Sequence, residues 1–117
     1  RLLIARALMA NPKLLILDEP CAGLDPPARE HFIRFIDALG RRAEAPSLVL
    51  VTHHVEEIAG VFSHVLLLAN GRILAQGTKS QVLTSETLSR AFGEPVTVRQ
   101  VDDRYTLSFQ ETPGRVV

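Results

Sequence analysis

The sequence has a single cysteine, Cys21, among its 117 residues and carries no net charge. One thiol cannot form an internal disulfide, and such sparse cysteine fits a reducing compartment. A neutral chain also lacks the excess of basic residues with which proteins bind nucleic acids. No apolar run approaches the roughly 20 residues that span a bilayer, and no stretch resembles a signal peptide. We therefore expect a reduced chain that neither crosses a membrane by itself nor binds nucleic acid.

The most informative stretch is residues 14–20. Four consecutive aliphatic residues, 14–17, show no polar alternation, which predicts a strand of a parallel sheet that is covered on both faces. Asp18 and Glu19 follow directly, at the carboxyl end of the strand, where open α/β sheets bind ligands. Two adjacent carboxylates stay ionised there only if a metal, a cation or water offsets their repulsion. The alternative is a buried strand that runs into an acidic turn.

Two further motifs follow in order along the chain. Residues 22–25 read Ala-Gly-Leu-Asp, and a second apolar strand, residues 48–51, ends in Thr-His-His. In order and spacing these segments resemble the ATP-binding cassette (ABC) ATPases, the nucleotide-binding subunits of ABC transporters. Residues 14–19 are similar to the Walker B strand with its catalytic glutamate, residues 22–25 to the D-loop, and residues 52–53 to the switch histidine.

This resemblance implies ATP and Mg²⁺ as cofactors and assigns a role to four residues. Asp18 would hold Mg²⁺ through coordinated water, which suits an ion that keeps much of its hydration shell. Glu19 would orient and deprotonate the attacking water. His53 would donate a hydrogen bond to the γ-phosphate while contacting Glu19, and so would sense that phosphate. Asp25 would act across a dimer interface and position the partner's nucleotide site.

Several polar residues also have a purely structural interpretation. Asp25 is a suitable N-cap for a helix that opens with Pro26. His54 is more typical of a helix start than of a second ligand, and Cys21 is expected to be an unreactive small residue. The remaining histidines and the first arginines are given no role in a site: His31, His64, Arg1 and Arg6.

The resemblance implies an α/β fold, a partial P-loop NTPase core of the ABC type with parallel strands and crossover helices, followed by a C-terminal β-hairpin region. A helix is expected to end near residue 10, before Asn-Pro. A four-turn helix after Asp25 would stop at Gly40. Its apolar face has helical spacing and consists of Phe32, Phe35, Ile36 and Leu39.

The second half of the chain shows shorter elements. Residues 55–62 have the spacing of a short amphipathic helix with Glu56 and Glu57 facing water. Asn70-Gly71 predicts a hairpin between strands at 64–69 and 72–77. Two short helices capped by Thr78 and Ser85 follow. A terminal hairpin is predicted at 96–101 and 105–109, with a frayed tail from residue 111.

Three motifs of the family do not occur in these residues: the Gly-rich phosphate loop with Gly-Lys-Ser/Thr (Walker A), the Gln-bearing loop and the LSGGQ signature. The first helix also lacks a cap. We therefore expect residues 1–93 to be the carboxyl-terminal half of a cassette and residues 94–117 to be its terminal hairpin and tail. In the family sheet the phosphate-loop strand lies between the strands at 48–51 and 65–68. Without it, those strands should either pair directly or leave apolar surface exposed.

The resemblance implies a subunit that couples ATP hydrolysis to solute transport, although this chain alone is expected to be inactive. Its partners would be transmembrane permease subunits and a second ATPase subunit, and its location the cytoplasmic face of the plasma membrane, reached through the permease. Nucleic acid is not expected as a partner. Two alternatives remain open: a soluble ABC ATPase of translation or repair, and a non-catalytic interaction module. Residues 21–22 and 71–92 resemble those of cassettes that import metal oxyanions or iron chelates, which implies a solute of that kind.

Overall fold

The structure, a computed structural model, describes residues 2–109 of the chain. The chain divides into two compact units, Arg1–Phe62 and Ser63–Val117. The first unit contains helix α1 (Leu2–Met9), strand β1 (Leu14–Asp18), helix α2 (Pro26–Gly40), strand β2 (Ser47–Val51) and a 3₁₀ turn (Val55–Glu57). The second contains β3 (His64–Ala69), β4 (Arg72–Thr78), α3 (Lys79–Val82), α4 (Ser85–Phe92), β5 (Val96–Val101) and β6 (Arg104–Phe109).

Strands β1 and β2 of the first unit pair in parallel, with α2 as the crossover between them. Leu15 lies opposite Leu48, and Asp18 lies opposite Val51. Parallel neighbours require such a crossover, because a tight turn can join only antiparallel strands. The predicted parallel α/β core is confirmed, and the register brings the carboxyl ends of both strands to the same edge.

Helix α2 begins where the sequence predicted. Asp25 is its N-cap, and its Oδ1 accepts a hydrogen bond of 2.8 Å from the backbone N–H of Ala28. The predicted apolar face needs one correction, because Phe35 is exposed and Ile33 is buried in its place. The two aromatic rings of this helix, Phe32 and Phe35, still stack on each other with centroids 6.4 Å apart.

Strand β1 is covered on one face only, so the prediction of a strand buried on both faces is wrong for the described chain. Leu15 and Leu17 are buried, whereas Leu14 and Ile16 are exposed. Successive side chains of a strand point to opposite faces, and the helices of this unit supply a core for one of them. That core consists of Leu15, Leu17, Cys21, Phe32, Ile36 and Leu39, against which Ile4, Ala7, Leu8, Leu48, Leu50 and Phe62 pack.

The segment after β2 also differs from the prediction. In place of an amphipathic helix, residues 55–57 form one 3₁₀ turn, and Ile58 beyond it is extended. Glu56 is partly exposed, but Glu57 is buried, which contradicts the expectation that both glutamates face water. A helix of period 3.6 and a 3₁₀ turn of period 3.0 point the same residue in different directions.

The second unit opens with the predicted hairpin. Asn70 and Gly71 both have positive φ, 54° and 73°, as a two-residue type I′ turn requires. Thr78 caps α3 through a reciprocal capping box with Gln81, as predicted. The cap of α4 is Thr84 and not Ser85: the Thr84 hydroxyl accepts the N–H of Thr87.

The terminal hairpin pairs β5 with β6 and packs on α4 of the same unit. The Ser89 hydroxyl accepts the N–H of Val96 at 2.9 Å, and the Ser85 hydroxyl accepts the N–H of Val98 at 2.9 Å. The Ser85 hydroxyl therefore binds the backbone of this hairpin, and it does not serve as the N-cap of α4 that the sequence predicted. The predicted tail from residue 111 lies outside the described residues.

Strands β2 and β3 both carry exposed apolar side chains. Strand β2 pairs with β1, and β3 pairs with β4, in separate two-stranded sheets. Val49 and Val51 of β2, and Leu66 and Leu68 of β3, are exposed. Each strand therefore leaves apolar side chains exposed within its own unit, and the predicted relation between the two strands stays a prediction. Between residues 2 and 109, no helix is both long enough and apolar enough to span a bilayer.

Candidate functional site

Two carboxylates lie where β1 ends. Asp18 is the last residue of the strand, and its side chain is exposed. Glu19 follows with φ at 48°, in the left-handed region that non-glycine residues seldom adopt. Its backbone N–H donates a 2.8 Å hydrogen bond to the carbonyl of Val51, which extends the β1–β2 pairing by one step. The left-handed backbone of Glu19 ends the strand after Asp18. The hydrogen bond to Val51 holds Glu19 beside the end of β2.

The end of β2 brings a histidine to Glu19. His53 Nε2 lies 3.4 Å from Glu19 Oε1, and the imidazole is 88% exposed. Glu19 Oε1 is itself buried and receives no hydrogen bond from the described residues. A buried carboxylate oxygen without a donor is costly, so this position favours water or a ligand as the missing partner. The two predicted catalytic residues are brought together, while their catalytic roles remain predictions.

The loop that carries His53 is fixed by its neighbours. The Thr52 hydroxyl donates a 2.6 Å hydrogen bond to Glu57 Oε1 and accepts the N–H of His54 at 3.1 Å. The sequence pattern does not predict this hydrogen bond of Glu57, because the helical spacing of residues 55–62 places Glu57 on a face exposed to water. The available signal was weak: a threonine directly after an apolar strand, followed by a glutamate five residues later.

Asp25 does not join this pair. Its carboxylate caps α2, and among the described residues it makes no hydrogen bond or ion pair with Glu19 or His53. The structural interpretation of Asp25 as an N-cap is therefore confirmed. Its predicted role across a dimer interface concerns a second chain and stays a prediction.

The donor set fits a hydrated Mg²⁺ better than a metal enclosed by protein ligands. Within residues 2–109, no group of three or more His, Cys, Asp or Glu side chains is arranged to hold a metal ion. Mg²⁺ characteristically binds through one or two carboxylates, several waters and substrate phosphates. The exposed carboxylate of Asp18, in the residue before Glu19, fits that pattern.

Cys21 is part of the hydrophobic core, just after the carboxylates. Burial raises the pKa of its thiol from an ordinary value of 9.0 to about 11, and the negative charge of Glu57 adds to this increase. Arg29 acts in the opposite direction, and Glu19 and Glu30 raise the value further. The thiolate is the reactive form of cysteine. The expectation that Cys21 is an unreactive structural residue agrees with this environment.

A thiol with a raised pKa should react slowly in the folded chain. At pH 8 the thiolate fraction of Cys21 should be about 100-fold lower in the folded chain than in the unfolded chain, because the pKa near 11 is about two units higher. The reaction with a chromogenic disulfide, followed with and without guanidinium chloride, measures this ratio. The rate in the folded chain should still rise tenfold per pH unit up to pH 10. A folded chain that reacts at the unfolded rate would contradict the buried environment.

Comparison with known proteins identifies a family for the segment that contains this site. Residues 1–59 match the family model described as "AAA domain, putative AbiEii toxin, Type IV TA system". This match covers both β1 with its carboxylates and the loop that carries His53.

Curated relatives match most of the chain. It is 47% identical over 111 residues to the "Uncharacterized ABC transporter ATP-binding protein YlmA" of Bacillus subtilis, which covers 95% of this chain and 42% of the relative. It is 39% identical over 94 residues to the "Molybdenum import ATP-binding protein ModC" of Albidiferax ferrireducens, which covers 80% of this chain and 25% of the relative. The chain thus spans well under half the length of each of these relatives.

A solved structure described as "An inward-facing conformation of a putative metal-chelate type ABC transporter" has a similar fold. The TM-score is 0.75 at 27% sequence identity, over 92% of this chain and 43% of the solved chain. Fold, motif order and sequence identity agree. The chain therefore belongs to the AAA-domain family, and over most of its length it is similar to proteins named ABC transporter ATP-binding proteins.

Proposed function

We propose that this chain is part of the ATP-hydrolysing subunit of an ABC transporter. The observation that supports this most directly is the pair formed by Glu19 Oε1 and His53 Nε2, 3.4 Å apart at the carboxyl ends of two parallel strands. This edge is the position at which open α/β sheets bind their ligands. The names of the similar proteins, which are ABC transporter ATP-binding proteins, also support the proposed function.

Glu19 is the proposed general base. Its Oε1 has no donor within the described residues, so it is available to accept a hydrogen bond from the attacking water. His53 is the proposed switch and ligand of the γ-phosphate, since its exposed imidazole can donate to an oxygen while it stays beside Glu19. Together the two residues orient the nucleophile and connect its activation to the presence of the phosphate.

Asp18 is the proposed Mg²⁺ residue. It ends β1 with an exposed carboxylate next to Glu19, and it would hold the ion through coordinated water. The ion supplies positive charge against the negative charge that develops on the transferred phosphoryl group.

The proposed partners are a second ATPase subunit and transmembrane permease subunits. Asp25 would contribute to the nucleotide site of the second subunit, in addition to capping α2 in its own chain. Through the permease, the subunit would lie at the cytoplasmic face of the plasma membrane.

For the transported solute we propose a metal oxyanion or a metal chelate, and import as the direction. One curated relative is named as a molybdenum import protein, and one similar solved structure is described as a metal-chelate type transporter. We further propose that residues 1–93 are the carboxyl-terminal half of the cassette and residues 94–117 a terminal hairpin and tail.

The 117-residue chain by itself should neither bind ATP tightly nor hydrolyse it. Its sequence has no Gly-Lys-Ser/Thr loop to supply the backbone N–H groups and the lysine that hold the β- and γ-phosphates. Exposed carboxylates alone attract the cation and repel the nucleotide.

Phosphate release from ATP, measured for this chain and for the intact subunit that contains it, tests the proposal. We expect turnover that depends on Mg²⁺ and is abolished by EDTA in the intact subunit, and no turnover above background in the 117-residue chain. An intact subunit that does not hydrolyse ATP would refute the proposed function. Turnover by the short chain at the intact rate would refute its dependence on the missing phosphate loop.

A further inference from the structure

Glu57 is an unusual residue for its position. It lies in a one-turn 3₁₀ segment near the surface, and yet only 5% of the residue is exposed. Glutamate is seldom buried to this degree unless it is paired. Its Oε1 accepts a short hydrogen bond, 2.6 Å, from the hydroxyl of Thr52. The structure therefore maintains a buried carboxylate four residues after His53.

Thr52 connects this carboxylate to both sides of the histidine. Its hydroxyl donates to Glu57 and also accepts the backbone N–H of His54, at 3.1 Å. The backbone N–H of Glu57 in turn donates to the carbonyl of His54 at 3.1 Å. Three hydrogen bonds thus enclose the backbone of residues 52–57, with His53 inside the enclosed loop.

The side chain of His53 has little packing of its own. Its imidazole is 88% exposed, and Glu19 is its ion-pair partner among the described residues. Because little packing restricts this side chain, the position of its backbone is what limits where the imidazole can reach. The separation of 3.4 Å between His53 Nε2 and Glu19 Oε1 therefore depends on how firmly residues 52–54 are held.

We propose that Thr52 and Glu57 are positioning residues that hold the His53 loop opposite Glu19. This proposal rests on the proposed function, because it assigns them to the ATP hydrolysis that Glu19 and His53 perform. Neither residue touches nucleotide; both act through His53. The Thr52 hydroxyl links the two residues, since it bonds both to Glu57 and to the backbone N–H of His54.

Glu57 also acts electrostatically on the turn that ends β1. Its negative charge raises the pKa of Cys21, which lies two residues after Glu19 in that turn. The positioning role itself rests on the hydrogen bonds that Thr52 makes.

The test uses Thr52→Val in the intact subunit, with Thr52→Ser as the conservative variant. Removing the hydroxyl should lower kcat for ATP about 10- to 100-fold, because small displacements of a catalytic group carry penalties of this size. KM for ATP should change less than about threefold, since neither residue binds nucleotide. Thr52→Ser should restore most of kcat. Amide hydrogen exchange at His54 should accelerate in Thr52→Val, because the acceptor of its N–H is lost.

Two variants control for a general loss of stability. Thr84→Val removes a hydrogen-bonded threonine hydroxyl from a helix cap, and Glu56→Gln removes the neighbouring charge of the same turn. Both should keep kcat within about twofold of the native value. If Thr52→Val folds and keeps native kcat, the positioning role is refuted, even if exchange at His54 accelerates. If Thr52→Ser fails to restore kcat, the hydroxyl is not the determinant, and the proposal also fails.

The proposed function is separated from this proposal by one further comparison. Loss of turnover in Glu19→Gln together with native turnover in Thr52→Val refutes the positioning role alone. Native turnover in Glu19→Gln refutes the proposed function, and the positioning role with it.

Discussion

Replacing Glu19 with Gln should lower the ATP turnover number of the intact subunit about 1,000-fold, within the range for loss of a general base. The amide keeps the size of the side chain but cannot accept the proton of the attacking water. Nucleotide affinity should change little, because Glu19 contacts the water and not the phosphates in the proposed mechanism. Single-turnover phosphate release measures the chemical step, and binding of a fluorescent ATP analogue measures the affinity.

The matched control for Glu19→Gln is Glu44→Gln. Glu44 lies exposed in the loop before β2, so the same chemical change there should leave turnover within about twofold. The outcome that contradicts the assignment is native turnover in Glu19→Gln with native folding. An equal loss in both variants would indicate an effect of net charge and not of the site.

Replacing Phe32 with Ala should lower the free energy of unfolding of the first unit by about 3–5 kcal/mol, the usual cost of an emptied aromatic site. Phe32 is 5% exposed and packs with Leu15, Leu17 and Ile36 in the core under the sheet. The free energy of unfolding of a native protein is typically about 5–15 kcal/mol, so this single substitution would remove a large part of the stability. Urea unfolding followed by circular dichroism gives the midpoint and the free energy.

Phe35→Ala is the matched control, because it makes the same change one turn further along α2. Phe35 is 46% exposed, so its loss should cost about 1 kcal/mol or less, including its stacking on Phe32. Equal costs for the two variants would contradict the assignment of Phe32 to the core and Phe35 to the surface. They would favour the face predicted from helical spacing, in which both rings are buried.

Much of the site could be predicted because its residues follow the ends of strands. Asp18 and Glu19 come after one apolar run, and His53 comes after the next, so a parallel pairing brings them to one edge. That inference needs only the rule that ligands bind at the carboxyl ends of parallel strands. Asp25 was equally predictable as a cap, since local hydrogen bonding decides caps.

Glu57 could not be found in this way. Its burial depends on a 3₁₀ turn, and a turn of three residues leaves no periodic pattern in the sequence. The same limit applies to α4, where two neighbouring hydroxyl residues could each serve as the cap. Thr84 takes that role because Ser85 is bound to the N–H of Val98, thirteen positions away along the chain.

Residues near one another in the sequence were enough to predict the order of the strands and of helices α1 to α4, the parallel core and the pair of residues that meet at its edge. These follow from hydrophobic runs, turn residues and caps, which act over a few neighbouring positions. Three features depend on packing between distant segments: one face of β1 is exposed, Phe35 lies outside the core, and Glu57 is buried. Burial depends on which elements pack against a given face, and that information comes from residues distant in the chain.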